Sequence, residues 1–178
     1  LSFKILAASL KSSILPFVQL PINTLSILMS LAAISGLAGD NDVIFMDADA
    51  HACVIDGTRL TSSSTIRFRH NNPEDLDKRL KRQGDISNGN ALVVIEGMYS
   101  MFGDIAPVDE FVDVTHRHGG YLYIDEAHSY GVFGPTGCGI AEDQGVLDKI
   151  DFIDKISNKK FSNTKPSARL QLTISFPF

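Results

Sequence analysis

Short apolar runs alternate along this chain with amphipathic segments, and the pattern is clearest between Leu92 and Gly139. Leu92, Val93, Val94 and Ile95 form a run that stops at Glu96-Gly97, the signature of a buried strand entering a loop. Pro107 then opens a periodic segment with Val108, Phe111, Val112 and Thr115 on one face, closed by Gly119-Gly120. Proline near the first turn and glycine past the end mark it as a helix. Tyr121 to Ile124 is the next strand, delivering Asp125, Ala127 and His128 into the following loop. Strand, helix and strand at this spacing make a βαβ unit with parallel strands. Its polar residues fall at strand C-terminal ends, where open α/β sheets bind ligands.

The flanking segments extend the same pattern. Thr24 to Leu37 reads as a buried helix with Asn23 or Thr24 as cap, followed by the turn cluster Gly39-Asp40-Asn41-Asp42 and a strand from Val43 to Met46. Ala50 to Leu60 can form a helix, with Asp47 or Asp49 placed to complement its dipole. Thr65 to Phe68 is a brief strand with Arg69-His70-Asn71 as its polar exit. Asn72-Pro73-Glu74 is a strong helix start, and Leu76 and Leu80 supply that helix's apolar face. After the central unit, five glycines from Gly131 to Gly145 let the backbone approach a ligand or another subunit closely, leading into a short helix. Ile150 to Ile153 reads as a further strand. The fold class is therefore α/β, a mainly parallel sheet with helices on both faces.

Composition adds limits. At 178 residues, 44% apolar and 21% charged, the chain has the length and make-up of one globular domain. A net charge of -5 without any basic block argues against a nucleic-acid surface. Cys53 and Cys138 are far apart and form no CxxC, so neither a disulfide framework nor a metal site is indicated, and a cytoplasmic setting fits. The stretch from Ser12 to Gly39 has no charged residue, but Pro16, Pro21 and its serines argue against a membrane span. Lys11 interrupts any signal-like apolar core. Membrane association is left open but disfavoured. The first residue is Leu1, so the start is expected to lie upstream.

Two motif readings compete with catalysis. Asp125-Glu126-Ala127-His128 matches the acidic motif of certain helicase-type ATPases, yet no GxxxxGK[ST] phosphate loop precedes it. A generic dinucleotide-binding domain needs GxGxxG after a first strand, and none is present.

EGMYSMFGDIAPVDE followed by YLYIDEAHSYGVFGPTGCGIAEDQG resembles the α-oxoamine synthases, pyridoxal-phosphate enzymes of the fold-type-I aminotransferase superfamily. DADAHACVIDGTRL and IRFRHNNPEDLDKRL look like the same family and lean towards its serine palmitoyltransferase members. The resemblance runs from about Leu31 to Ile153. It implies a partial large domain over residues 23–153, with residues 1–22 unassigned and residues 154–178 a divergent tail. It implies pyridoxal 5'-phosphate as cofactor, an amino acid (serine, or alanine or glycine) and an acyl-CoA as substrates, a 2-oxoamine as product, and a homodimer. Sphingolipid or biotin biosynthesis would be the setting.

The resemblance also implies roles, position by position. His51 would stack on the cofactor ring, and Asp125 would keep the ring nitrogen protonated. His128 and Ser100 would bind the phenolic oxygen. Glu96 and Asp104 read as structural, bonding loop backbone. The family's spacing from its aspartate places the Schiff-base lysine at Lys159, with Lys155, Lys160 and Lys165 as neighbours in the same lysine-rich segment. The sequence departs from the family at three places: Ser26-Ile27 stand where a Gly-aromatic pair binds the phosphate, Cys138 where an arginine is usual, and DKISNKKFSNTKPS where a GTFSK-like segment is expected. The altered phosphate and lysine segments, with no carboxyl-terminal domain in the sequence, support the rival expectation of a truncated non-catalytic homologue or partner subunit.

Overall fold

The computed structural model describes residues 22–84, 90–157 and 170–175. Six parallel strands form one sheet in the order β2-β1-β3-β4-β5-β6. They are β1 (Val43–Asp47), β2 (Ser64–Phe68), β3 (Ala91–Glu96), β4 (Tyr121–Asp125), β5 (Phe152–Ser157) and β6 (Leu170–Ser175). The helices are α1 (Ile22–Leu37), α2 (Ala52–Arg59), α3 (Pro73–Gln83), α4 (Val108–Arg117) and the short α5 (Ile140–Asp143), with a 3-10 turn at Leu147–Lys149.

Both faces of the sheet are covered, as the unbroken apolar runs require. Every residue of β1 and β3 is buried, the mark of a parallel strand between two helical layers. On one face Leu76 and Leu80 of α3 and Val108, Phe111 and Val112 of α4 pack against Phe45, Val93, Ile95, Leu122 and Ile124. On the other, Ala33 and Ile34 of α1 and Cys53 and Val54 of α2 cover Ile44, Met46, Val94 and Tyr123. Among the described side chains of α1 the buried positions are Ser30, Ala33 and Ile34, continued by Ala38 just past its end, a helical stripe with one polar member.

Several local expectations need correction. The α2 helix begins at Ala52, and its cap is His51, whose Nδ1 accepts the Cys53 N–H at 3.2 Å; no acidic residue lies in its first turn. Asp47 instead closes β1 and points its carboxylate at the β2 exit. α1 already runs from Ile22, so Ser26 is its fifth residue, where the backbone N–H belongs to the internal i→i−4 ladder rather than to the free helix end. Asn72 does cap α3, accepting the Asp75 N–H at 2.7 Å. The start of α4 is satisfied from a distance, with Gln144 Oε1 accepting the Val108 N–H at 2.8 Å and Gln144 Nε2 donating to the Ala106 carbonyl at 2.8 Å. The last expected strand starts at Phe152, and β6 lies in the stretch read as a divergent tail. Among the described residues, no helix is long and apolar enough to cross a membrane.

Candidate active site at the C-terminal edge of β1, β3 and β4

Parallel strands bring their C-terminal ends to one edge, and there the chain places Asp47, Glu96 and Asp125. All three carboxylates are buried. Asp125 Oδ1 accepts the Ala127 N–H at 2.9 Å, and Oδ2 lies 3.2 Å from the Ser30 hydroxyl of α1. Burial, with the neighbouring Glu126 charge, pushes the Asp125 carboxyl up to about 6. Burial also pushes Glu96 up to about 7, against the hydrogen bonds that it accepts from the His51 and Ser100 amides. The His51 N–H reaches Glu96 Oε1 at 2.5 Å. Glu96 thus ties the α2 entry to the β3 loop, the backbone role expected of it.

His51 and His128 border this edge from the loops after β1 and β4. His51 is partly buried and His128 is exposed. Their rings are close enough to interact: partial burial first, then the proximity of His51, lowers the His128 imidazole below its ordinary value. His128 is therefore a neutral donor or acceptor at neutral pH. Ser100 is exposed on the loop after β3, with its amide fixed by Glu96. Asp125, His51, His128 and Ser100 thus share one sheet edge. Ser26 sits in α1 with its side chain outside the described residues, and Lys159 lies outside them altogether, with Lys160 and Lys165; Lys155 is in β5.

Asp104 differs from expectation, because it bonds side chains rather than loop backbone. Its Oδ2 accepts from His70 Nε2 at 2.5 Å and from Asn71 Nδ2 at 2.7 Å. His70 Nδ1 is 2.8 Å from Asp47 Oδ1. Both ring nitrogens thus face carboxylate oxygens, an arrangement that favours the protonated, doubly donating imidazole. Burial opposes that charge, but the bonds to Asp47 and Asp104 outweigh it and raise the imidazole. Asn71, held at φ 48°, turns its N–H onto Asp47 Oδ2 at 2.9 Å. The buried Tyr99 ring meets His70 edge-on at 4.5 Å. This staple fixes the loop that carries Ser100.

The staple has a pH signature. A raised histidine contributes stability that is complete below its unfolded value of about 6.5 and is lost as pH rises through the higher folded value. Urea midpoints of the parent chain should fall relative to His70→Gln as pH rises from about 6 to about 9. A stability gap that stays constant over that range would rule the cationic staple out.

The five-glycine loop folds onto its own chain. Glu126, fully buried, accepts the Ile140 N–H at 3.0 Å and the Ala141 N–H at 2.9 Å, and it also bonds the Ser129 hydroxyl. Gly139 adopts φ 98°, and a Cβ there would collide with the Glu126 carboxylate. At this position the close approach that glycine permits is to a carboxylate of the same chain. Cys138 is buried, its N–H donating to Glu142 Oε2 at 2.9 Å. The roles of Ser30, His70 and Glu126 escaped the sequence reading, which took His70 only as part of the polar exit of β2 and Glu126 only as a member of an acidic motif. The only local signal was for Ser30, the polar member of an apolar helical stripe.

Known proteins resemble this chain closely. The model of the family "Aminotransferase class I and II" matches residues 26–155. A serine palmitoyltransferase from Caulobacter vibrioides is 53% identical over 124 residues, which are 70% of this chain and 30% of that protein. An 8-amino-7-oxononanoate synthase from Lysinibacillus sphaericus is 40% identical over 127 residues, 70% of this chain and 32% of the relative. Among solved structures, the serine palmitoyltransferase of S. paucimobilis with PLP and myriocin bound superposes with a TM-score of 0.69 at 47% identity. It covers 72% of this chain and 32% of that one. The chain thus spans about a third of the length of these relatives.

Proposed function

This chain belongs to the aminotransferase class I and II family, and from that premise we propose that its β4 edge binds pyridoxal 5'-phosphate for the condensation of an amino acid with an acyl-CoA. The observation that carries the reading is Asp125, a buried carboxylate at the C-terminal end of β4, on the same sheet edge as the loops that carry His51 and His128. A carboxylate in such a place is matched by a protonated ring nitrogen, which replaces the lost hydration with an opposite charge. The donor set fits the ring: an acid for its nitrogen, an imidazole for its face, and a neutral imidazole with a hydroxyl for its phenolic oxygen.

Bound there, pyridoxal phosphate supplies an electron sink for the carbon next to the substrate nitrogen. Asp125 holds the proton on the ring nitrogen. His51, fixed as the cap of α2 and by its N–H to Glu96, lies against the ring. His128, neutral by its lowered pKa, shares the phenolic oxygen with Ser100. Lys159 is the lysine assigned to the cofactor link, and Ser26 the residue assigned to the phosphate. We read residues 23–153 as part of a large domain and the working unit as a homodimer. Serine is the preferred amino acid, by likeness to the serine palmitoyltransferases, with alanine or glycine next.

The altered phosphate segment, Ser26-Ile27, favours a second reading, a non-catalytic homologue acting as a partner subunit. One assay separates them. Purified chain with cofactor, serine or alanine, and a long-chain acyl-CoA should release free CoA and form the 2-oxoamine. Cofactor binding without product supports the partner reading, and neither binding nor product defeats the proposal.

A further inference from the structure

The Cys53 side chain has no role in the site described above, yet it meets one of that site's residues. Cys53 is the second residue of α2 and is buried, and its Sγ lies 3.0 Å from His51 Nδ1. The Cys53 N–H reaches the same nitrogen at 3.2 Å, the contact that makes His51 the helix cap. The amide and the thiol of one residue thus converge on one ring atom.

The amide fixes which ring nitrogen carries hydrogen. A backbone N–H always donates, so Nδ1 presents its lone pair, and the hydrogen of the neutral ring sits on Nε2. Towards such a nitrogen the sulfur can bond only by giving its proton. It has one to give: burial first, and then the Asp125 charge, push the Cys53 thiol up to about 12. Glu96 adds to the rise, whereas hydrogen bonds from the Ser30 side chain and the Val54 amide oppose it. Those two bonds are donated to sulfur and leave the S–H for His51. We propose that the Cys53 thiol is a positioning group for His51, donating to Nδ1 beside the cap N–H so that the imidazole keeps one orientation and one tautomer.

The alternative orientation shows what the thiol does. An imidazole can turn over about its Cβ–Cγ bond, a broad two-fold torsion. Turning it here would put Cδ2 where Nδ1 stands and leave a C–H facing both donors. The His51 main chain is held as well, by its N–H on Glu96, so the acid fixes the backbone and the thiol helps to fix the ring. The pinned ring is a property of the cofactor-free chain. Its benefit to a ligand stacked on His51 rests on the function proposed above: an imidazole already oriented has little freedom left to lose on binding.

Imidazole 15N NMR of the cofactor-free full chain tests it. Spectra are recorded at about pH 9, where an ordinary imidazole is neutral and this thiol still holds its proton. The parent should show His51 with its hydrogen on Nε2 and a hydrogen-bonded Nδ1. Cys53→Ala should move the Nδ1 resonance towards that of a free acceptor nitrogen. Cys53→Ser, which restores a donor at the same place, should move it back. Packing alone would not rank the variants so, because serine buries a hydroxyl in the cluster with Ala33 and Ile34. A His51 hydrogen on Nδ1 in the parent, an Nδ1 resonance unmoved in Cys53→Ala, or a serine variant that matches the alanine one overturns the proposal. With pyridoxal phosphate added, Cys53→Ala should bind about two- to tenfold more weakly, the net worth of one hydrogen bond, and Cys53→Ser should recover most of the loss. A parent chain that binds no pyridoxal phosphate defeats the proposed function and leaves the nitrogen spectra standing.

Discussion

Asp125→Asn should weaken pyridoxal phosphate binding by roughly 30- to 4,000-fold, the equivalent of about 2–5 kcal/mol for truncating one partner of a buried charged pair. The amide keeps the volume, and its oxygen keeps the Ala127 N–H, so the loop stays in place. What is lost is the charge. A neutral partner cannot hold a proton on the ring nitrogen, so condensation activity should fall further than affinity. The raised carboxyls of Asp125 and Glu96 also mean that the cofactor-free edge is destabilised at neutral pH. A carboxyl whose folded pKa is raised subtracts stability above its ordinary value and returns it as pH falls towards that value. A ring cation relieves that cost, and the Asn variant should instead be at least as stable as the parent without cofactor. Fluorescence titration with pyridoxal phosphate, beside urea unfolding of the cofactor-free chains, reads both quantities. Equal affinities in parent and variant would contradict the assignment.

The second large effect lies one residue further on. Glu126→Ala removes the carboxylate that accepts the Ile140 and Ala141 N–H groups and the Ser129 hydroxyl. Each buried N–H left without a partner costs about 1–3 kcal/mol, so the change should lower stability by about 2–6 kcal/mol. The loop from Ala127 to Gly139 then loses its tie to α5, and His128 loses its fixed place near His51. Binding should weaken in step with stability, whereas Asp125→Asn should separate the two. Denaturant midpoints of both variants check this, and a Glu126→Ala chain as stable as the parent would show that the carboxylate is not the anchor.

Much of the architecture was legible because parallel strands buried on both faces must be written as unbroken apolar runs. Val43 to Met46, Leu92 to Ile95 and Tyr121 to Ile124 announced β1, β3 and β4, and Asn72-Pro73 announced α3. Local chemistry misled where a nearer partner was available. Asp47 looked like a helix-dipole residue, but parallel pairing sets β1 beside β2 and brings His70 within 2.8 Å of it. The start of α2 went instead to His51. β6 was missed although Leu170–Ser175 alternates apolar and polar residues, because that stretch was judged by its departure from a family pattern rather than by its own period. The members of the edge that follow from a motif, Asp125 and His128, could be named in advance. Ser30 and Asp154 could not, since they meet across 124 residues and only the β4–β5 register sets Asp154 beside Asp125.

The most direct test of the central claim is covalent. The chain is mixed with pyridoxal phosphate, its visible spectrum is recorded, borohydride is added, and the labelled peptide is mapped by mass. The account predicts a visible band of the lysine-linked cofactor, its loss on reduction, and a single label on Lys159. No band, with label scattered over Lys155, Lys159, Lys160 and Lys165, would contradict it.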